Sequence, residues 1–293
     1  MKTVTALAFA ALLALSAASA TRAADAPLAV VAAENFYGDV ARQIGGDRVA
    51  VVSIMSNPDQ DPHLFETTPS TVRQIGDAQI AILNGADYDP WMAKLINVAP
   101  HPGRVVVDVA ALTGKKAGDN PHLWYDPATM PAAAKAMAEA FGAADSAHKA
   151  DYDARLKTFI ASLKPLNDKI AAIRAKFAGA SVTASEPVFG YMAAALGLKM
   201  RNERFQLSIM NDTEPAARDV AAFEQDLKDR KVRVMFFNKQ ASDKAVERLV
   251  NLARKSRIPV VGVTETAPAG LSYQDWMLGE LNDTEKALAG PSS

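Results

Sequence analysis

The chain has no cysteine among its 293 residues. That excludes disulfides, a thiolate zinc site and a lipid anchor on an N-terminal Cys. Imidazole is scarce too, with four histidines in all. There is no block of like charge, and 32 basic residues face 33 acidic ones, so the electrostatic footprint of a nucleic-acid binder is missing. Solenoid repeats and low-complexity tracts are also absent.

No apolar run reaches the roughly 20 residues needed to cross a bilayer. The longest, from Val4 to about Leu15, follows one early charge at Lys2 and leads into small residues ending Ala-Ser-Ala and Thr-Arg-Ala. This pattern predicts a secretory signal peptide over residues 1–23, cleaved after Ala20 or Ala23. Its removal takes away Lys2 and Arg22 and no acid, leaving 30 basic against 33 acidic residues. An exported chain that is neither lipidated nor membrane-spanning needs a compartment to retain it, and a periplasm between two membranes is the expected one.

From residue 26 onward, short apolar β-branched runs alternate with helical patterns. Strands are expected at 28–33, 49–54, 79–83, 104–109, 181–184, 199–205, 232–237 and 259–263. Helices are expected at 35–44, 69–77, 88–97, 189–196, 215–230, 242–256 and 273–288. Between residues 131 and 178 strand signals vanish and Ala, Lys, Glu and Leu recur at helical spacing. A break near Ala144-Asp145 splits this stretch, and Pro165 predicts a kink or interruption in the long helix at 146–177. The reading is α/β: two lobes, each a largely parallel sheet flanked by helices, joined by one long spine helix. The domains expected are an N-terminal lobe at 24–145, the spine at 146–178 and a C-terminal lobe at 179–293.

Two of the four histidines sit in matching frames, DPHLFET at 61–67 and NPHLWYD at 120–126. His63 follows the second expected strand and His122 the fourth, while Glu186 follows the strand at 181–184 directly. Ligands gather beyond the carboxyl ends of strands in open α/β sheets. Two imidazoles and a carboxylate suit a borderline divalent ion such as Zn²⁺, with Mn²⁺ or Fe²⁺ as alternatives. Pro62 and Pro121 stiffen the loops that present the imidazoles, and Phe65 and Trp124 are placed to shield an ion from water. Asp126 and Glu66 are the expected acceptors for the imidazole N–H groups. Each residue also has a plainer reading: a loop histidine is often only a surface group, and Glu186 before Pro187 could cap the next helix. His148 reads as solvated and His101 as structural. Two His, one Glu and an open water position is also the composition of a zinc hydrolase. The chain has no HExxH and no further pairing to supply a general base, so no enzyme is expected.

Five stretches, DPHLFETTPSTV, IGDAQIAILNGADYDPWM, NPHLWYDP, SEPVFGYMAAALGL and SYQDWMLGELNDTEKAL, occur in the order of one family. The chain resembles the metal-binding solute-binding proteins of zinc- and manganese-type ABC importers over essentially its whole mature length. The resemblance implies one divalent metal ion as transported ligand, held in the cleft between two lobes by His63, His122 and Glu186. It also implies a monomer that delivers the ion to an ABC permease in the inner membrane. The fourth family ligand, an Asp before the Ser/Thr-Tyr pair that opens the last helix, falls on Leu271, which cannot bind metal. Water, a bidentate Glu186, or a substitute among Asp275, Glu265 and Gln240 is left for that place. The long His- and Asp-rich loop of many zinc members is replaced by the short 113–120. Coordination number favours Zn²⁺ over Mn²⁺.

Overall fold

The computed structural model describes residues 26–57, 62, 65–241 and 244–290. The expected signal peptide and His63 lie outside the described residues.

Each half of the chain builds one four-stranded parallel sheet. In the first, β1 (Leu28–Glu34) lies between β2 (Val49–Met55) and β3 (Ile80–Leu83), with β4 (Val105–Asp108) outside β3. In the second, β5 (Ser181–Ala184) lies between β6 (Lys199–Arg201) and β7 (Met235–Asn238), with β8 (Val260–Val263) outside β7. The two strand orders are the same. In both, the chain leaves the first strand of its sheet to one side and returns on the other, which opens a crevice beyond the carboxyl ends of the central strands. The inner strands are apolar because both faces are covered: all four residues of β3 are buried.

The helices are α1 (Asn35–Gly45), α2 (Pro69–Asp77), α3 (Pro90–Val98), α4 (Val109–Leu112), α5 (Thr129–Ala144), α6 (Lys149–Ser162), α7 (Lys164–Phe177), α8 (Gly190–Ala195), α9 (Glu203–Met210), α10 (Ala217–Lys228), α11 (Lys244–Lys255) and α12 (Tyr273–Ala289). Local chemistry sets their ends. Thr68 caps α2 in a reciprocal box with Thr71, and Pro69 opens the first turn where its missing N–H costs nothing. Ser272 caps α12 by accepting from Asp275 N.

The spine is two helices rather than one. A single residue, Leu163, separates α6 from α7, and Pro165 stands in the first turn of α7. Proline has no N–H to continue the ladder, and its ring would crowd the carbonyl one turn back. α6 packs against α1 and α5, whereas α7 packs against α12, so the break falls where the spine passes from the first half to the second. Glu285 of α12 ties them further by accepting from Lys169 (2.6 Å) and Lys176 (2.8 Å).

The stretch expected as a strand to residue 205 instead ends at Arg201, and α9 begins at Glu203. Asn202 between them has φ 62°. That left-handed conformation is open to Asn at low cost and breaks the extended run.

One apolar core runs through both halves. Rings follow one another from Phe36 to Trp124 (4.6 Å between centroids), Trp124 to Tyr125 (6.0 Å), Tyr125 to Phe189 (5.5 Å) and Phe189 to Phe236 (4.4 Å). A shared aromatic core of this kind restrains relative motion of the two sheets.

Candidate metal centre

His122 is fully buried, and several elements position it. The loop after β3 turns through three consecutive left-handed residues, Gly85, Ala86 and Asp87. The Asp89 carboxylate holds this turn by accepting from Asn84 N (2.7 Å) and Gly85 N (2.8 Å). A side chain at Gly85 would meet Asp108 Oδ1 at 2.6 Å, so only glycine fits. Asn84 accepts from Tyr37 Oη (2.8 Å) and donates to the Pro121 carbonyl (2.8 Å). The NGADYD segment thus fixes the residue just before His122.

From the other half, Tyr191 Oη donates to the Asn120 carbonyl, and Asn120 Nδ2 to the Pro187 carbonyl, both at 2.8 Å. Tyr273 Oη donates to Trp124 O (2.8 Å), and Tyr125 Oη lies 2.7 Å from both Thr264 O and Glu280 Oε2. Burial is the main cause that pushes the Glu280 carboxyl up to about 7.

The imidazole tautomer follows from Asn120. Its Nδ2 is committed to Pro187, and its Oδ1 accepts from His122 N (3.1 Å), so this oxygen can only accept from His122 Nδ1 (2.7 Å) as well. In the neutral ring this puts the proton on Nδ1 and the lone pair on Nε2. Asp126, the acceptor expected for this proton, serves elsewhere, and its Oδ1 accepts from Ala128 N (3.0 Å) at the start of α5.

His122 Nε2 faces Glu265 Oε2 at 3.4 Å, with both side chains fully buried. Glu265 stands two residues beyond the end of β8. Gln240 Oε1 holds its backbone, accepting from Glu265 N (2.6 Å) and Thr266 N (3.1 Å). Across the halves, Asn35 of α1 grips the same loop with both ends of its amide, donating to Ala267 O (2.8 Å) and accepting from Ala267 N (3.0 Å). Glu186, also buried, makes no capping bond to the turn that follows it. Asn238 at the end of β7 joins the two acids, donating from Nδ2 to Glu186 Oε2 (2.8 Å) and to Glu265 Oε1 (2.5 Å).

Of the substitutes expected for a fourth ligand, the structure brings Glu265 to His122. Asp275 is exposed and completes the cap of α12, its Oδ2 accepting from Ser272 Oγ (2.7 Å). Leu271 is 45% exposed on the wall of an open polar crevice with Asp39 and Ser53. The remaining histidines have other partners. His148 pairs with Asp145 (2.8 Å) rather than lying free in solvent, and His101 Nδ1 lies 3.1 Å from the Pro102 carbonyl in its own turn.

Trp124 closes over His122, ring centroids 5.4 Å apart, with Tyr88 on another side at 6.0 Å. Phe65 packs on Trp91 at 4.5 Å. Among the described residues no three His, Asp or Glu side chains stand close enough to hold an ion between them as they lie. The donors present are one imidazole nitrogen and two carboxylates, a set suited to a borderline divalent cation.

Comparison with known proteins agrees with this chemistry. The manganese ABC transporter substrate-binding lipoprotein PsaA of Streptococcus mitis is 26% identical over 282 residues, 89% of each chain. The iron ABC transporter substrate-binding lipoprotein MtsA of Streptococcus pyogenes serotype M1 is 25% identical, covering 95% of this chain and 94% of its own. The fold is that of the periplasmic zinc-binding protein TroA from Treponema pallidum, with a TM-score of 0.75 at 20% identity over 90% of this chain and 99% of that one. The family model described as ZnuA, zinc-uptake complex component A periplasmic, matches residues 30–287. The chain therefore belongs to the ZnuA family: it is a metal-binding solute-binding protein of an ABC importer, and not an enzyme.

Proposed function

We propose that this chain captures one divalent transition-metal ion in the periplasm, zinc in preference to manganese, and delivers it as a monomer to an inner-membrane ABC permease. His63, His122, Glu186 and Glu265 are the ligands, with the first two residues from the lobe at 24–145 and the acids from the lobe at 179–293. The spine at 146–178 joins these lobes.

The observation that carries this reading is the approach of His122 Nε2 to Glu265 Oε2, 3.4 Å apart and fully buried. The two atoms bring an imidazole nitrogen and a carboxylate oxygen from opposite halves of the chain to one buried point, the donor types a borderline divalent ion takes. A cation between the two groups would be bound by both. The Nδ1–H bond to Asn120 supports the ligand, as metal-bound imidazoles nearly always donate their second nitrogen to an acceptor. Two imidazoles and two carboxylates supply four donors, which suits tetrahedral Zn²⁺ better than Mn²⁺, whose preferred octahedron needs more oxygen. The periplasmic assignment rests on the leader pattern of residues 1–23 and on the lack of any cysteine to carry a lipid.

Elemental analysis of protein isolated from periplasm, without added metal or chelator, tests the reading. About one zinc per chain is the expected result. Manganese or iron at that level contradicts the zinc preference, and a chain that also fails to take up zinc on titration contradicts the capture role.

A further inference from the structure

Asn238 is 1% exposed and lies between the two acids of the proposed site. Its amide is fully committed. Oδ1 accepts from Gln240 N (3.0 Å), which fixes the orientation of the group and leaves Nδ2 toward the carboxylates. An amide nitrogen has two protons, and here one goes to Glu186 Oε2 and the other to Glu265 Oε1. The backbone is pinned as well, since Asn238 N donates to Ser185 Oγ at 3.1 Å. Ser185 directly precedes Glu186, so one residue at the end of β7 locks the acid beyond β5 and the acid beyond β8 at the same time.

We infer that Asn238 sets the metal preference of this site: by donating one amide proton to each carboxylate it biases Glu186 and Glu265 toward binding through one oxygen apiece. This rests on the proposed ligand set. A carboxylate with one oxygen engaged by a donor is biased to bind a cation through the other, since the donor takes one of that oxygen's lone pairs. Two such carboxylates and two imidazoles make a four-coordinate site, the geometry Zn²⁺ adopts in closed protein sites. Larger oxygen-seeking ions reach higher coordination numbers by taking carboxylates through both oxygens, and Asn238 disfavours that route. It is a positioning residue that acts through the two acids and does not touch the ion.

The test compares wild-type protein with Asn238→Leu, which keeps the volume, removes both donors and excludes a replacing water. Asn238→Ala serves as second variant if the leucine form does not fold, as judged by circular dichroism. Metal-free protein is loaded with Co²⁺, and the visible absorption is recorded, because four-coordinate cobalt absorbs strongly and six-coordinate cobalt weakly. Zinc and manganese affinities are measured alongside by competition with a chelator. Wild type should show the intense band. The variant should show a weakened band and a ratio of zinc to manganese affinity lower by about tenfold, the scale of outer-shell effects on metal sites. An unchanged band and ratio in a folded variant overturns the role of Asn238 and leaves the ligand set standing. A wild-type protein that takes up none of the three metals overturns both.

Discussion

Two pairs of buried carboxylates stand at matching ends of the two sheets, and each pair manages its charge differently. In the first half Glu34, at the end of β1, lies beside Asp89, beyond β3. Burial, reinforced by the charge of Asp89, holds the Glu34 carboxyl well above the usual range, and burial also raises Asp89 to about 6. A proton settles this pair. In the second half Glu186 and Glu265 share the two protons of the Asn238 amide, and Glu265 faces His122. The one amide orients both carboxylates, and in the proposed site they take a cation. Position alone does not make a buried acid a ligand; its donors decide which positive charge it accepts.

Matched amide substitutions give the largest expected contrast. Glu186→Gln should weaken zinc binding more than about 100-fold in a chelator-competition titration, beyond the roughly 10–100-fold typical of outer-shell partners. Glu34→Gln, which replaces a protonated acid by its neutral isostere, should leave affinity within about threefold, inside the scatter expected of a group that is not a ligand. Equal losses in both variants would erase the distinction between the pairs. His122→Ala should match Glu186→Gln.

Asn120→Ala should have a smaller effect, about 10–100-fold in affinity, because the imidazole stays while its tautomer and orientation are released. An effect below about threefold would show that the Asn120 bond does not prepare Nε2.

The proton on the first pair predicts a pH effect on stability. Asp89, with a folded-state value of about 6 against 3.8 as its ordinary value, retains a proton where the unfolded chain has released it. Its stabilisation is therefore complete below about pH 4 and is lost as pH rises through about 6. Glu34 is shifted in the same direction. Metal-free wild type should lose more melting temperature between about pH 5 and pH 8 than Glu34→Gln. The difference between the two pH profiles, read by calorimetry, carries the sign of the Glu34 shift. Parallel curves would contradict the shared proton.

His148→Ala should show the smallest effect. Its pairing with Asp145 is partly exposed, so removal should cost about 1 kcal/mol or less and leave zinc affinity unchanged. A drop in affinity would add a further imidazole to the ligand set.

Much of the fold was legible because parallel sheets advertise themselves as short apolar runs between helical patterns. The helix at 69–77 and the strand at 181–184 fall where the sequence predicts. The spine's interruption was visible as Pro165. The α9 helix was not, because its start depends on a left-handed backbone at Asn202 that Asn permits without requiring. The doubled Pro-His frame marked His122 as a candidate, and Glu186 was marked by its place directly after a strand. Glu265 occupies an equivalent place two residues past β8. The strand-end rule that selected Glu186 would have selected it too, whereas the resemblance drew attention to Leu271, which lies on the wall of an open crevice just before α12. Asn120 went unnoticed as the imidazole's partner because an amide two residues before a histidine is silent in sequence; the fold of the Asn120-Pro121-His122 turn is what brings its oxygen back to Nδ1.

The central claim is that imidazole and carboxylate from opposite halves close on one ion, with Glu265 completing the ligand set. Its most direct test is a zinc titration of metal-free wild type and Glu265→Ala in competition with a chromophoric chelator. The expected result is about one zinc per wild-type chain and a loss of more than about 100-fold in affinity on removing the carboxylate, above the outer-shell range. Wild-type affinity in Glu265→Ala, with the fold intact by circular dichroism, would contradict it.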